Sequence, residues 1–266
     1  MPRIKRTQAE QARADAAGPE YLEALARGLR VVEAFGRDRR WLTLSDVARL
    51  VDLPRASVRR VLATLVELGY AEADDRLFRL TPRILMLAGA FLSSNAVSDI
   101  VQPALERLSA EVGEACSAAV LDGAEIVMIA HASPNRMLPV SAQIGLRLPA
   151  LSTSLGRVLL AALPDKQLDA LIARTKVARL TPATVTDKAA LRRAIAQARA
   201  DGFALADQEA EPGFRSISVP LKRRDGRTVA ALNVGAHTER VPLATMRKVY
   251  LPRLRALANG LEPQLL

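Results

Sequence analysis

Residues 42–80, LTLSDVARLVDLPRASVRRVLATLVELGYAEADDRLFRL, decide the N-terminal fold. Thr43 precedes Leu44, Val47, Ala48 and Val51, with Asp46 three residues on, an acidic variant of the capping box that predicts a short helix over 44–51. Asp52 and Leu53 then make a tight turn. Pro54 suits a first helical position, where its missing N–H has no partner to lose, and Val58, Val61, Leu62, Leu65 and Leu68 form the buried stripe of a further helix ended by Gly69. YAEADDRLFRL reads as two strands about the polar pair Asp74 and Asp75. Upstream, Leu22, Leu25, Leu29, Val32 and Phe35 recur at helical spacing before Gly36, so a first helix is expected across 21–35. Three helices, a short turn between the second and third, and a closing hairpin have the spacing of a winged helix-turn-helix, placed at residues 20–81. Residues 1–19 mix charges with alanine and glycine without an apolar period and read as a mobile arm.

The third helix carries the chemistry. Arg55, Arg59 and Arg60 occupy its first two turns, and no acid lies between Asp52 and Glu67. Small residues, Ala56, Ser57 and Ala63, let the backbone approach a duplex, and Thr64 flanks them. Arginine clasps a guanine edge or a phosphate, so this face is read as the element entering the major groove of double-stranded DNA. Thr43 and Ser45 at the start of the second helix and Arg76 on the wing complete the candidate DNA-contacting set, with Arg79 beside it and Asp74 and Asp75 opposing at the wing tip. A solvated basic face is the alternative for an isolated helix of this kind; the short capped helix before it and the wing after it favour DNA.

The chain has 266 residues, 38 basic and 28 acidic, a net charge of +10, and is 50% hydrophobic. That suits two globular units and excludes disorder of the whole chain. The basic excess is spread over the chain, so local arrangement rather than net charge carries the DNA argument. No apolar run is long enough for a membrane span, the N-terminus lacks the apolar middle of a secretory signal, and a cytoplasmic protein is expected. A single cysteine, Cys116, and two histidines, His131 and His237, give no disulfide and no ordinary metal-ligand set, and neither metal nor cofactor is expected.

Residues 82–95, beginning PRILMLAGAFLS, form a linker helix with more apolar surface than one stripe requires, packed either on a second subunit or on the chain's own C-terminal domain. From residue 96 to 266 helices and strands alternate without a strict βαβ rhythm. A helix near 98–113 leads to a hairpin about Asp122 and Gly123. Further helices follow at SLGRVLLAAL, DKQLDALIAR and after Thr186 or Asp187, then a strand FALAD, a hairpin about Asp225 and Gly226, and a helix from Pro242. The expected class is α+β, with a mostly antiparallel sheet flanked by helices.

The run from Leu42 to Leu85 resembles the DNA-binding half of the IclR family of bacterial transcription regulators. LPALSTSLGRVLLAAL, DGFALADQEAEPGFRSISVPL and AALNVGAH resemble that family's GAF-like effector domain. LARGLRVVEAF, LVELGY and the DQE segment with RSISVP are most similar to the branch controlling the β-ketoadipate pathway of aromatic acid breakdown. The resemblance implies a homo-oligomer, dimer or tetramer, on a palindromic operator, activated by protocatechuate, 4-hydroxybenzoate or β-ketoadipate. Arg60 stands at the family's usual arginine position, whereas Asp52 replaces a usual glycine and Ala56 a usual serine.

For the effector, a small aromatic or dicarboxylic acid, Ser152, Thr153 and Ser154 place hydroxyls and free N–H groups at the positive end of a helix dipole, more than one cap requires. The resemblance assigns backbone N–H groups of Ser154 and Leu155, and Ser216, to the effector. Strand alternation turns Ser216 and Ser218 to one side, Arg215 and Ile217 to the other. Asn233 is either a pocket hydrogen-bonder or a strand-edge residue. Arg136 pairs with a second effector carboxylate or lies on a solvated loop. Asp207, Glu209 and Glu211 are expected to orient neighbours rather than bind an anion, and Cys116 and His131 to be satisfied core or near-core residues. A serine hydrolase with a DNA-binding appendage is the competing class, but the chain has no G-x-S-x-G elbow, phosphate loop or dinucleotide fingerprint. A repressor of another carboxylate operon and a constitutive architectural binder are the remaining alternatives.

Overall fold

A computed structural model describes residues 18–36, 39–87, 89, 96–134 and 144–265. The chain divides into two compact units at Phe91 and Leu92.

In the first unit, helix α1 (Glu23–Glu33) is followed by a two-residue strand β1 (Leu42–Thr43), α2 (Leu44–Val51) and α3 (Arg55–Glu67). The wing strands β2 (Ala71–Asp74) and β3 (Leu77–Leu80) pair antiparallel, and β1 adds to β3, giving the order β1-β3-β2. The capping box is complete: the Asp46 N–H donates to Thr43 Oγ1 at 3.2 Å and the Thr43 N–H to Asp46 Oδ2 at 3.2 Å. The Thr43 hydroxyl, donating to Asp46 Oδ2 at 2.7 Å, and the Thr43 N–H hold the Asp46 carboxyl below the usual carboxylate range, the hydroxyl contributing most. Thr43→Ala should cost the first unit about 1 kcal/mol, read as a lower urea midpoint at unchanged slope. Asp52 ends α2 in the left-handed region, φ 51°, the conformation a glycine would take without strain. Val31, Val47, Val58 and Leu62 are fully buried and join the three helices into one core.

Two details differ from the sequence reading. Pro54 is extended and sits one position before α3 rather than in its first turn. Leu22, Leu25 and Leu29, which carry the helical period of α1, are 70%, 59% and 51% exposed within this unit, while Val31 and Ala34 turn inward. Periodicity identifies a helix but not which of its apolar stripes meets its own core. The linker opens with a 3-10 turn (Pro82–Ile84), and Leu85, Met86 and Leu87 are exposed. Ala88, Phe91 and Leu92, also assigned to that helix, lie outside the described residues, as does the arm up to residue 17.

The second unit is built on a six-stranded antiparallel sheet, β6-β5-β4-β9-β8-β7, with β4 (Ala115–Asp122), β5 (Glu125–Ala132), β6 (Arg147–Pro149), β7 (Ala204–Asp207), β8 (Phe214–Lys222) and β9 (Thr228–His237). One face packs against α4 (Ala96–Val112) and the C-terminal helix, through Leu105, Ile129, Ile217 and Leu254. The other packs against α5 (Ser154–Ala161), α6 (Asp165–Arg174) and α7 (Lys188–Asp201), through Ile126, Leu160, Leu168 and Ile195. Asp187 caps α7 and Gly202 ends it at φ 69°. The C-terminal helix contains a π turn (Met246–Tyr250) before its final segment α8 (Leu251–Leu261), just ahead of Pro252, which lacks the N–H for a bond four residues back. The expected α+β architecture is present; β1, β6 and the π turn are additions to it.

Candidate nucleic-acid interface and effector cavity

On α3 the inward positions are Val58 and Leu62, and Arg55, Ala56, Arg59, Arg60, Ala63 and Thr64 are all exposed. Among the described residues none of the three arginines is held in an ion pair, so their donors are available to a polyanion. Thr64 donates its hydroxyl to the Arg60 carbonyl at 2.9 Å, a bond within the helix. Ser57 corrects the expectation: it is 4% exposed, its hydroxyl is buried without a partner, and it faces inward between the helices. Position 57 precedes the buried Val58, on the side of α3 that meets α1. Ser45 and Arg76 are exposed, whereas the Thr43 hydroxyl is engaged in the cap of α2. Arg79 is tied to Glu72 and lies over the Trp41 ring, 4.6 Å from its centre. Asp74 and Asp75 stand exposed at the wing tip.

The second unit holds a cavity of about 130 Å³ between the sheet and the start of α5. Ser152, Thr153, Ser154 and Leu155 form one wall, and Ser216 and Asn233 rise from the sheet. Thr153 caps α5 by accepting the Gly156 N–H at 3.1 Å. The first N–H groups of the helix remain without intrahelical partners, beside the positive end of its dipole. Ser154 Oγ lies 2.7 Å from both Ser216 Oγ and Ser218 Oγ, so the expected common face of the two strand serines is present and clamps the helix start to β8. Ser152 Oγ and Asn233 Oδ1 are buried without a partner. Gly156 permits this geometry, because a Cβ there would meet the Ala150 carbonyl oxygen at 2.1 Å. Apolar side chains, among them Ile126, Met128 and Phe214, complete the lining. Arg136 lies outside the described residues.

Sequence reading missed one element of this site. Arg157 on α5 forms a buried two-pronged ion pair with Glu209, Nη1 to Oε1 at 2.6 Å and Nη2 to Oε2 at 2.5 Å, and donates Nε to the Leu151 carbonyl at 3.2 Å. The signal was a lone arginine inside the apolar run SLGRVLLAAL. Thr181 and Thr184 donate to the carbonyls of Gln208 and Glu209, at 2.6 and 2.7 Å, and so hold the loop that carries Glu209. Asp207 orients Arg215 at 3.0 Å, as expected, while Glu211 stays exposed at the cavity rim. Cys116 is fully buried and its thiol is pushed up to about 12 by burial, an inert group. His131 is half-buried with its imidazole held below its ordinary value by desolvation, and Nδ1 lies 3.0 Å from Ser117 Oγ.

No helix among the described residues is long and apolar enough to cross a membrane, and no group of three or more potential metal ligands occurs among them. Ser154 is bonded to two other hydroxyls rather than to a base.

An exposed arginine face on a helix-turn-helix, and a polar-ended cavity in a separate unit, are the two parts that the comparisons with known proteins match. Residues 24–75 match the IclR helix-turn-helix domain and residues 89–262 the C-terminal domain of IclR-type bacterial transcriptional regulators. The chain is 40% identical to the Pca regulon regulatory protein of Pseudomonas putida, over 99% of this chain and 91% of the relative. It is 36% identical to the p-hydroxybenzoate hydroxylase transcriptional activator of Acinetobacter baylyi, over 91% of this chain and 92% of that one. Among solved structures, an IclR homologue from Microbacterium hydrocarbonoxydans complexed with 4-hydroxybenzoate superposes with a TM-score of 0.73 at 30% identity, over 90% of this chain and 97% of the other. Matched along both of its units, the chain belongs to the IclR family of DNA-binding transcription regulators and is not an enzyme.

Proposed function

We propose that this regulator activates genes for aromatic acid breakdown when a small organic acid occupies the cavity of the second unit. The observation that carries the reading is the cradle of hydroxyls and unpaired N–H groups at the start of α5, opening into a cavity of about 130 Å³. An apolar cavity of roughly 150 Å³ holds benzene, so this space is of single-ring size rather than larger. The carboxylate lies against Ser152, Thr153, Ser154 and the Leu155 N–H, with Ser216 and Ser218 behind it. The relatives named for the Pca regulon and for p-hydroxybenzoate hydroxylase, and the homologue complexed with 4-hydroxybenzoate, support the aromatic class. Arg136 is retained as a further effector contact.

On the DNA side, Arg55, Arg59 and Arg60 reach the duplex with Ala56 and Thr64 beside them, and Ser45 and Arg76 contact flanking phosphates. Residues 20–81 form the DNA-binding domain, 82–95 the connection, and 96–266 the effector and oligomerisation domain. A dimer or tetramer on a palindromic operator, in the cytoplasm, fits the exposed leucines of α1 and of the linker, which a second copy covers. The acid shifts the balance between two arrangements of paired DNA-binding units only by its difference in affinity for them.

Thermal denaturation with a panel of aromatic acids tests the pocket. A bound acid should raise the melting temperature, by about 2.7 kcal/mol of stabilisation at one hundred times its dissociation constant. Ser154→Pro removes one cradle N–H, at a helix position that tolerates proline, together with the hydroxyl that clamps α5 to β8, and Ser216→Ala removes one hydroxyl; each should diminish the shift. Full stabilisation in both variants places the acid elsewhere.

A further inference from the structure

The hairpin that joins β8 to β9 carries a run of three cations, Lys222, Arg223 and Arg224, with Arg227 closing the turn. The turn is fixed by its own bonds. The Arg223 N–H donates to the Arg227 carbonyl and the Gly226 N–H to the Arg223 carbonyl, both at 2.9 Å. Asp225, the one acid of the turn, accepts the Arg227 N–H at 2.9 Å and Arg227 Nε at 2.6 Å, so its charge is taken up by Arg227. Lys222, Arg223 and Arg224 are held in no ion pair among the described residues. Arg223 Nε is buried without an acceptor, so this guanidinium has lost hydration at one donor and gained no partner for it.

Beside Lys222 a groove of about 220 Å³ runs between the end of β8 and α8. Val219, Pro220 and Ala258 supply its apolar floor, and Arg255 stands on the α8 side. Arg255 is held without a carboxylate: Nη2 donates to the Asp201 carbonyl at 2.7 Å, and the guanidinium lies over the Phe203 ring, 5.5 Å from its centre. The Asp201 carboxylate itself accepts from Gln197 at 2.8 Å. Glu262 is the one acid among the described lining residues, and the sequence from Arg240 to Leu261 contains none. Other arginines of this unit are matched to acids, Arg147 to Asp122 and Glu125, Arg192 to Asp165 and Asp169, and Arg253 to Glu111. The hairpin and the groove thus form a fixed patch of unmatched positive charge around an apolar floor.

We propose that this patch is a docking surface for an acidic segment of a partner protein, which presents carboxylates to the hairpin cations and Arg255 and an apolar side chain to the floor. Cations at the rim of an apolar depression are the pattern of a protein contact, charged at its edge and apolar at its centre. Arginine adds a planar fork that meets a carboxylate with two bonds. A nucleic acid fits less well, since its phosphate backbone offers nothing apolar to Val219, Pro220 and Ala258 and is opposed by Glu262 in the groove. None of these residues lines the acid cavity or belongs to α3, so a regulator occupied at both sites keeps this surface for the transcription machinery. That assignment of the partner rests on the activating role proposed above; the docking surface does not.

The full chain carrying Lys222→Glu with Arg224→Glu is compared with one carrying Arg174→Glu with Lys176→Glu, which reverses two exposed cations of the same unit and changes the net charge equally. Thermal denaturation checks that both variants fold. Transcription by purified RNA polymerase is then measured from a promoter with the operator upstream, saturated with protein and acid. Stimulation should fall about tenfold or more in the hairpin variant, where like charges now meet across the contact, and stay near the parent level in the matched one. Stimulation kept in the hairpin variant, or lost equally in both, overturns the inference. So does weaker binding of the hairpin variant to operator fragments with flanking duplex but not to the bare operator, which assigns the patch to DNA. A changed oligomeric state in sedimentation of the hairpin variant alone assigns it to a second copy, and overturns the inference as well. If the parent itself gives no stimulation, the activating role falls, and fluorescence anisotropy of a labelled peptide alternating glutamate and leucine decides the docking surface by itself. Binding about tenfold tighter in the parent than in the hairpin variant sustains it, and equal binding overturns it.

Discussion

Alanine at both Arg59 and Arg60 should reduce operator affinity about a hundredfold or more while the fold stays intact. Each arginine, if bonded to a base edge or phosphate, contributes about 1–3 kcal/mol, and the two together therefore reach a hundredfold without unusual geometry. Both side chains are exposed, and neither is held in an ion pair among the described residues, so removing them opens no cavity and strands no partner. Stability should change by no more than about 0.5 kcal/mol, as for ordinary surface substitutions. Gel-shift titrations at several salt concentrations separate the roles. Removing an arginine that grips a phosphate lowers the salt slope by about one and weakens all sequences alike, whereas removing one that reads a base edge relaxes preference at one position. Undiminished affinity in a folded double variant would remove α3 from the DNA interface.

The second large effect lies in the effector unit. Arg157→Met should destabilise it by about 3–5 kcal/mol, because the Glu209 carboxylate is left buried without its cation. For a unit of this size that corresponds to a fall in melting temperature of about 10 °C or more. Replacing both members, Arg157→Met with Glu209→Met, should recover most of the loss, since an apolar pair of similar volume removes the desolvation penalty along with the attraction. The pair also ties α5 to the loop after β7, through the Leu151 carbonyl on one side and the Thr181 and Thr184 hydroxyls on the other. The double variant is thus expected to fold yet to bind acids more weakly, because the cradle at the start of α5 loses its brace. A single variant as stable as the parent would show that Glu209 finds water or another cation.

The helix-turn-helix was legible because its signals are local. A threonine and an aspartate three residues apart fix one helix start, and Val58 and Leu62 at helical spacing fix the buried side of the next. Burial of Ser57 was not legible: its side of α3 is covered by α1, a contact between elements far apart in sequence. The same distance hid the exposure of Leu22, Leu25 and Leu29, whose spacing is satisfied equally by a stripe facing a core and one facing outward. In the effector unit, period-two alternation placed Ser216 and Ser218 together correctly, because β8 is regular there. On β5 it fails, since the extra residue near Ile129 reverses the faces and brings His131 to the cavity side. The Arg157–Glu209 pair joins residues 52 apart, and only the oddity of an arginine among leucines hinted at it.

Phe214 on β8 and Gly235 on β9 share a tighter constraint: a Cβ at 235 would come within 2.4 Å of the phenyl ring. The ring also stands edge-on to His237, the two centroids 6.0 Å apart, which limits how far it swings aside. Both positions line the chamber, so its capacity depends on one absent methyl group. Descendants of this gene that come to accept bulkier or smaller inducers are therefore constrained in the order of their changes. Trimming the aromatic at 214 has to come before any side chain is gained at 235, and paired exchange at these two sites is the historical trace such a transition leaves.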